Sequence, residues 1–448
     1  MKRMNRDLTS GGIAAGLWAF AVPLVLGNVL QQFYNLVDTW VVGRYIGDHA
    51  LAAVGSSYTL LTFLTSVIIG LSLGTGSFVS IAFGRKDEAS IRNGIFMSSV
   101  LIGALTLFVM GVFYVFLDEI ISLLRVPVRL TEDMHIYLVY VFVGFFATFL
   151  YNYISNVLRG MGNSAAPLCF LALSVMLNVV LDLYFVVALE MGIKGAAIAT
   201  VIAQYASAIG ILFYFLFACP NYRISKKDMR WDKRNFKSIL SLSGFTCLQQ
   251  SMMNFGILLV QGVVNSFGAS VMAAFAVAVK IDTIAYMPVQ DFGNAFSVFV
   301  AQNYGAKKIE RIHAGIKQAA ASVIAFCLFV STMVCLFARP LMGIFVDSAN
   351  VETIQIGVGY LHIEGACYIG IGILFLLYGY YRAIDRPFLS VVLTVFSLGT
   401  RVVLANVLSA IPAVGVVGIW VSIPIGWAIA DVFGVWYFYA KLESLKSI

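Results

Sequence analysis

Two aspartates inside apolar stretches are the residues of this sequence best suited to chemistry. Asp38 lies in QQFYNLVDTWVVGRYIG, and Asp182 lies in NVVLDLYF. Asn178 precedes Asp182 by one helical repeat of four residues, so a helix places both side chains on one face. A charged side chain at the bilayer centre costs roughly 2.5–3.5 kcal/mol on insertion scales, so we expect a partner that offsets the charge.

The chemistry that these residues predict is cation binding. Thr200 adds a hydroxyl group from the next apolar stretch. Carboxylate, amide and hydroxyl oxygens are hard ligands, which a small hard cation prefers. Without that cation two adjacent carboxylates repel each other, and one is expected to hold a proton. Asp38, Asn178, Asp182 and Thr200 therefore predict one site for Na⁺ or H⁺. The alternative is that they only hydrogen-bond neighbouring helices, where a contact is worth about 0.6 kcal/mol.

The elements that must hold these residues are apolar segments that recur along the whole chain. Of the 448 residues, 60% are hydrophobic and 11% are charged, whereas roughly 25% are charged in soluble proteins. Segments of about 20 apolar residues can cross about 30 Å of hydrocarbon as helices, and they lack the alternation of a β-barrel. The sequence predicts an all-α membrane protein with twelve spans, at 16–43, 50–81, 95–117, 136–158, 166–189, 193–217, 239–266, 270–301, 314–337, 358–381, 388–410 and 414–440.

The basic residues predict the orientation of these spans. Most of the 29 Lys and Arg residues fall in alternate connections, with the densest run at 223–237. The positive-inside rule then places both termini in the cytoplasm. The dense run is expected to be a solvated loop, with binding of acidic lipid or a partner as the alternative. The net charge of +7 is explained in this way, and we expect no nucleic-acid partner.

The chain contains an internal repeat. FGRKDEASIRNGI at 83–95 recurs as YGAKKIERIHAGI at 304–316, and Arg159 falls on Arg382 at nearly the same offset. Repetition at a fixed offset indicates a tandem duplication. The predicted domains are an N-terminal six-helix lobe at 1–217, a cytoplasmic linker loop at 218–238 and a C-terminal six-helix lobe at 239–448.

The arrangement of the repeats favours a transporter. Six crossings per half return the chain to the side where it began, so a pseudo-two-fold axis along the membrane normal is expected to relate the halves. Two such bundles can rock around a central cavity, as secondary transporters do. The carboxylates do not follow the repeat, because Asp38 falls on Leu259 and Asp182 on Ala405. The predicted cation site therefore belongs to one half.

Several segments, in this order, resemble the multidrug and toxic compound extrusion (MATE) family. They are VLQQFYNLVDTWVVG, ALAAVGSS, VLRGMGNSAAP, NVVLDLYF, IKGAAIAT and AYMPVQDFGNAFSVFVAQNYGAKK. The resemblance implies a two-lobed, twelve-helix exporter that exchanges Na⁺ or H⁺ for drugs, often organic cations. It also implies that an Asp on the first helix, an Asn and Asp pair on the fifth and a Thr on the sixth correspond to Asp38, Asn178, Asp182 and Thr200.

The second half departs from one branch of that family. The branch carries an acid on its seventh helix, where this chain has Asn254 beside Gln249 and Gln250. Glu364 remains a candidate for a second coupling site or for drug contact, with a structural ion pair as the alternative. Arg401 is expected to balance an acid rather than to bind substrate.

Aromatic and methionine residues predict where a substrate would lie. Such walls suit flat, lipophilic, cationic ligands, although each residue taken alone also fits core or lipid-facing packing. The candidates for the substrate cavity are Tyr34, Gln249, Gln250, Asn254, Asp282, Tyr286, Met287, Gln290 and Glu364.

Pro23 is the predicted hinge of the first helix. Proline inside a span frees a backbone carbonyl and bends the helix. Bending near Asp38 would couple its protonation to the shape of the cavity. A static packing kink is the alternative.

Other function classes are disfavoured by the motifs. His49, His135, His313 and His362 stand alone, and no H-E-x-x-H, G-x-S-x-G or phosphate-loop motif occurs in a suitable context. We therefore expect no enzyme. A channel is not expected either, because the sequence contains no segment that resembles a selectivity filter.

The sequence predicts a monomeric antiporter of the inner (plasma) membrane, with both termini cytoplasmic. Its partners are small organic cations and the lipid bilayer, and its only cofactor is the coupling ion, Na⁺ or H⁺. The rival is a flippase for lipids or lipid-linked oligosaccharides of the same superfamily. A cluster of basic residues inside the cavity would favour that rival, and here only Lys280 and Arg401 qualify.

Overall fold

A computed structural model describes residues 6–123 and 128–446 of the chain. Every regular element in these two ranges is a helix. Lys2, Arg3 and Arg125, which contribute to the predicted orientation, lie outside the described residues. The all-α prediction is confirmed.

The first half begins with three long helices and continues through shorter ones. A π-helical stretch, Leu183–Ala188, directly continues the seventh helix, and a 3₁₀ turn, Pro220–Tyr222, follows the eighth. The α-helices are α1 (Ile13–Tyr45), α2 (Asp48–Gly84), α3 (Glu88–Val115), α4 (Leu117–Leu123), α5 (Val128–Val143), α6 (Phe145–Gly160), α7 (Ala165–Asp182) and α8 (Gly192–Ala218).

The second half repeats this order. Its helices are α9 (Lys233–Asn265), α10 (Ala269–Gly305), α11 (Ile309–Leu336), α12 (Ala338–Gly343), α13 (Val351–Gly365), α14 (Tyr368–Ala383), α15 (Pro387–Ser409) and α16 (Val416–Lys446).

Ten helices of the described residues are long and apolar enough to cross a membrane. Two further spans are bent pairs, α5 with α6 at 41° and α13 with α14 at 52°. When each pair counts as one span, the total is the predicted twelve. The bends follow Val143 and Gly365, where Gly144 and Gly365 weaken the helix because glycine has a low helix propensity.

The internal repeat is visible in the backbone. Helices α2 and α10 have 37 residues each, and α6 and α14 have 16 each. Gly47 and Gly268 precede equivalent helices with φ values of 116° and 96°. Lys86 and Lys307 share a left-handed turn with φ values of 57° and 58°. Equivalent turns therefore have equivalent conformations, as a duplication requires.

The chain divides into two compact units, and each unit contains two separate ranges of the sequence. The first unit contains residues up to Asp7 and Val22–Cys247, and the second contains Leu8–Ala21 and Leu248–Ile448. The beginning of α1 thus belongs to the second unit, and the beginning of α9 belongs to the first. Pro23, the predicted hinge, lies inside α1, directly after this change of unit.

Close packing holds the beginning of α9 in the first unit. The hydroxyl oxygens of Thr75 and Ser243 lie 3.2 Å apart. A Cβ atom added at Gly74 would lie 2.4 Å from the Cα of Ser243. Only a glycine allows α2 and α9 to approach so closely.

Hydrogen bonds hold the beginning of α1 in the second unit. The backbone N–H of Leu8 donates to Gln302 Oε1 at 3.1 Å, and Asn303 Nδ2 donates to the Leu8 carbonyl at 3.2 Å. The rings of Trp18 and Phe292 lie 5.0 Å apart between centroids. The segment before α1 therefore contacts α10 through hydrogen bonds, and α1 itself contacts α10 through an aromatic pair.

The linker after α8 is anchored to the first unit. Arg92 Nε donates to both carboxylate oxygens of Asp228 at 3.2 Å. Asn93 Nδ2 donates to the carbonyls of Asp228 and Arg230 at 2.9 and 2.8 Å. Although exposed basic residues surround it, this segment is fixed at Asp228.

Candidate functional site

The four predicted cation-site residues come together within the first unit. Helix α1 supplies Asp38, α7 supplies Asn178 and Asp182, and α8 supplies Thr200. Asn178, Asp182 and Thr200 are buried, and Asp38 is half-buried. The spacing of four residues places Asn178 and Asp182 on one face of α7, as expected.

The carboxyl groups of Asp38 and Asp182 are in direct contact. They lie within hydrogen-bonding reach of each other. No donor group among the described residues reaches Asp182 Oδ1. Two carboxylates in contact need a positive charge between them, which either a shared proton or a metal cation supplies.

Asn178 orients this carboxyl pair. When its amide is assigned from the surrounding donors and acceptors, Nδ2 donates to Asp182 Oδ2 at 2.9 Å. The amide oxygen accepts from the backbone N–H of Thr200 at 3.3 Å. Asn178 therefore links α7 to α8 and retains one lone pair on its oxygen.

Two tyrosines border the pair. The hydroxyl oxygens of Tyr34 and Thr200 lie 3.5 Å apart. Tyr137 of α5 is buried within electrostatic reach of both Asp38 and Asp182. The structure thus joins Tyr34, expected as a substrate contact, to the carboxyl pair, and it adds Tyr137, which the sequence analysis missed.

A separate cavity of about 250 Å³ lies within the second unit. Five of the nine predicted substrate residues line it, namely Asn254, Asp282, Tyr286, Gln290 and Glu364. Aromatic residues such as Phe275, Phe375 and Trp427 form much of the remaining wall.

A second carboxyl pair lies on the wall of this cavity. Asp282 of α10 and Glu364 of α13 are within hydrogen-bonding reach of each other, and both are buried. Tyr360 donates its hydroxyl to Asp282 Oδ2 at 3.2 Å, and Tyr368 donates to Asp282 Oδ1. Asp282 is therefore satisfied by two hydroxyl groups, while no donor group among the described residues reaches Glu364 Oε1.

Arg401 is the basic residue among the described cavity walls. Its guanidinium carbon lies 5.8 Å from the centroid of the Trp427 ring. It is within electrostatic reach of Asp282 and Glu364. Among the described residues, however, neither Arg401 nor Glu364 takes part in an ion pair. The expected pairing of Arg401 with an acid is therefore electrostatic and not a contact.

The remaining predicted residues lie elsewhere. Gln249 Nε2 donates to Met253 Sδ at 2.8 Å, so this amide packs along its own helix. Gln250, Met287 and Gln249 are absent from the described lining of the cavity. Lys280, one of the two cavity cations that the flippase alternative required, is exposed and is likewise absent from that lining.

Local spacing could have identified one of the missed residues. Tyr360 precedes Glu364 by four positions in YLHIEGACYIG, which places both on one helical face. Tyr368 and Tyr137 depend on how helices pack, and no local pattern reveals them. In the described part of the chain, no group of three or more His, Cys, Asp or Glu residues could hold a metal ion. A cation in the first unit would therefore also need amide and hydroxyl ligands.

Comparisons with known proteins agree with this architecture. A model of the MatE sequence family matches residues 23–184 and 246–407. The Bacillus subtilis protein named probable multidrug resistance protein YpnP is 29% identical over 398 residues, which are 87% of each chain. Another from that organism, probable multidrug resistance protein YoeA, is 27% identical and covers 96% of this chain and 94% of its own.

A solved structure has the same fold. It is a MOP superfamily transporter from Pyrococcus furiosus, described as having a binding pocket of reverse polarity that suggests a different function. Its identity to this chain is 22%, its TM-score is 0.91, and the alignment covers 98% of both chains. The likeness extends over both halves of the chain.

Proposed function

Because this chain belongs to the MatE family of membrane transporters, we propose that it is a secondary active multidrug exporter driven by Na⁺ or H⁺. It exchanges the inward-moving ion for amphipathic, cationic organic compounds. Alternating access results from rocking of the two lobes. The family is one of transporters and not of enzymes.

The observation that carries this proposal is the contact between Asp38 and Asp182. A buried carboxyl pair is stable with one added positive charge and unstable without it. Gain or loss of that charge changes the preferred packing of α1 against α7 and α8. An ion that binds one arrangement better shifts the population toward it, and a drug bound to the other arrangement shifts it back.

Either coupling ion is compatible with these groups. A proton needs only the carboxyl pair. Sodium needs several hard oxygens, for which we propose Asp38, Asn178, Asp182 and Thr200. Asn178 would then present its amide oxygen to the ion in addition to accepting from Thr200.

We further propose that the protein acts as a monomer in the inner (plasma) membrane with both termini in the cytoplasm. Positive-inside loops support this orientation. The linker contributes the densest basic run, at 223–237.

A flippase for lipids or lipid-linked oligosaccharides is the alternative function. It needs several basic groups to hold a phosphate-bearing head group. The described cavity wall offers Arg401 together with two acids. This composition favours the export of smaller organic compounds.

The test is ethidium efflux from proteoliposomes under separately imposed Na⁺ and pH gradients. Asp38→Asn and Asp182→Asn keep the size of the side chain and remove its charge. Each is expected to lower gradient-driven efflux by at least tenfold at equal protein incorporation. Glu119→Gln, at an exposed acid of α4, is the matched control and should behave as wild type.

The gradient that drives efflux identifies the ion. If both neutral variants transport as fast as wild type, the first-lobe pair is structural and the coupling assignment is wrong. If wild type moves no ethidium under either gradient but redistributes a fluorescent lipid between leaflets, the flippase function replaces the exporter.

A further inference from the structure

Among the described residues, three buried polar atoms on the wall of the second-unit cavity have no hydrogen-bond partner. They are Arg401 Nε, Trp427 Nε1 and Glu364 Oε1. Trp427 and Glu364 are 3% and 1% exposed, so solvent at the protein surface does not satisfy them. Buried polar groups are nearly always hydrogen-bonded, and each exception needs an explanation. Three exceptions around one cavity indicate a ligand.

The three atoms differ in what they require. Arg401 Nε and Trp427 Nε1 are donors, so both need an acceptor. Glu364 Oε1 is an acceptor and needs a donor, which is either a proton shared with Asp282 or a cationic group. The cavity therefore favours a ligand with an anionic oxygen beside Arg401 and Trp427 and a positive charge beside Glu364.

The internal repeat shows that this arrangement is specific to the second lobe. Asn178 falls on Arg401 at the offset that relates α6 to α14 and Arg159 to Arg382. An amide that orients a carboxyl pair in the first lobe is thus replaced by a permanent cation in the second. The two lobes consequently favour different ligands, because a guanidinium repels a metal cation and attracts an anion.

We propose that the second-unit cavity binds an aromatic zwitterion, whose anionic group is held by Arg401 and Trp427 and whose cationic group faces Asp282 and Glu364. This inference rests on the proposed export function, because the bound compound is taken to be a transported substrate. A guanidinium binds a carboxylate in a planar, bidentate manner, and a carboxylate is the anionic group that we assign to this ligand.

The remaining wall suits the body of such a compound. Phe275, Tyr286, Phe375 and Tyr378 line the same cavity. Aromatic rings give a large apolar contact area with few fixed polar groups, as is usual for small-molecule pockets. A ligand that carries only a positive charge leaves Arg401 and Trp427 without acceptors, and discrimination against it follows from those unpaired groups.

Rhodamine 110 and rhodamine 123 form a matched pair of probes. The first carries a free carboxylate besides its cationic ring system, and the second is its methyl ester. We would measure the fluorescence anisotropy of each dye with purified protein in lipid nanodiscs, which reports binding without transport. Rhodamine 110 is expected to bind wild type at least tenfold more tightly than rhodamine 123.

Three variants test whether Arg401 binds the anionic group of the ligand. Arg401→Gln should lower rhodamine 110 affinity by at least tenfold and change rhodamine 123 affinity by less than twofold. Arg401→Lys keeps the positive charge but not the bidentate geometry, so its rhodamine 110 affinity should lie between those of Arg401→Gln and wild type. Arg386→Gln removes an exposed arginine that bonds Tyr437 outside the cavity, and it should bind both dyes as wild type does.

Two results would overturn the inference. One is equal binding of the two dyes by wild type, and the other is an equal loss of both dyes in Arg401→Gln. These outcomes are separate from failure of the export proposal, which ethidium efflux tests. Rhodamine 110 binding that depends on Arg401 in a protein that exports nothing would leave the site valid and the export function wrong.

Discussion

The hydroxyl oxygens of Tyr34 and Thr200 lie 3.5 Å apart, so α1 and α8 meet beside the carboxyl pair of the first unit. That distance is at the outer limit of a hydrogen bond. Tyr34 therefore contributes mainly by packing, whereas Thr200 contributes both a hydroxyl oxygen and the backbone N–H that holds Asn178.

The first prediction separates these two roles. Thr200→Val removes a hard oxygen but keeps the size and shape, so it should raise the Na⁺ concentration for half-maximal efflux by at least fivefold if Na⁺ is the coupling ion. Tyr34→Phe should change that concentration by less than twofold. Ethidium efflux at graded Na⁺ measures both, and an equal effect of the two substitutions would contradict the assignment.

The second prediction concerns the stability of the second unit. Asp282 accepts hydroxyl groups from Tyr360 and Tyr368. Asp282→Ala leaves both hydroxyls buried without this acceptor, and each unsatisfied group costs about 1–3 kcal/mol. Asp282→Ala should therefore lower the apparent free energy of unfolding more than Glu364→Ala does.

Thermal unfolding of the two variants in the same detergent checks this order. The double variant Tyr360→Phe, Tyr368→Phe provides the control, because it removes the donors before Asp282 is replaced. In that background Asp282→Ala should cost less. An unchanged cost would show that the hydroxyl contacts do not stabilise the unit.

The third prediction is a pH dependence of the linker, outside the membrane-spanning helices. Burial raises the pKa of Asp228, but hydrogen bonds from Ser225 and Arg92 and the charge of Arg92 outweigh it, so that this pKa lies below its usual range. The folded-state value is thus lower than the unfolded one. The contribution of Asp228 to stability is fully present above about pH 4 and is lost as the pH falls through the folded-state value.

Hydrogen exchange of residues 219–232, corrected for the intrinsic rate, measures this effect. Protection should be constant between about pH 7 and 5 and should fall in stronger acid. Asp228→Asn should remove much of it already at neutral pH. Asp347→Asn, at an exposed acid after α12, should leave it unchanged, and pH-independent protection in wild type would argue against the role of Asp228.

The fourth prediction compares two glycines with positive φ. Gly162 has φ of 85°, and an added Cβ atom would lie 2.0 Å from the carbonyl oxygen of Arg6. Gly47 has φ of 116° and nothing within 4 Å of that position. Gly47→Ala adds only backbone strain of about 1–3 kcal/mol, because φ of 116° and ψ of 178° lie in a region that only glycine readily adopts. Gly162→Ala also displaces the segment before α1, in which the Arg6 N–H donates to the Gly162 carbonyl.

Gly162→Ala should accordingly lower the unfolding temperature more than Gly47→Ala. Limited proteolysis near Arg6 supplies a local measurement, since the first substitution should expose this segment and the second should not. Equal proteolysis of the two variants would mean that the clash is relieved without loss of the contact.

The twelve spans could be predicted from sequence because the length of an apolar run is a local property. The bends of 41° and 52° could not, because they occur inside continuous apolar sequence. Gly144 and Gly365 are two of 39 glycines, and nothing in their immediate neighbours distinguishes them. Which glycine breaks a helix depends on the helices that pack against it.

The two carboxyl pairs also differ in how far local sequence predicts them. Asn178 and Asp182 share a helix, so their spacing predicts a common face. Asp282 and Glu364 lie on α10 and α13, and each was expected near substrate without being joined to the other. Their contact depends on tertiary packing, as does the approach of Tyr368 from beyond the second bend.

The beginning of α1 belongs to the second compact unit and the beginning of α9 to the first. This arrangement has a consequence for expressing the two halves as separate chains. A cut in the linker gives a first product that lacks residues 233–247, and Ser243 of that stretch packs against Gly74 and Thr75. The second product lacks Leu8–Ala21 with the hydrogen bonds of Leu8 to Gln302 and Asn303. Neither product contains a whole compact unit. Each product should therefore be degraded when expressed alone, and co-expression of both is the route to functional complementation.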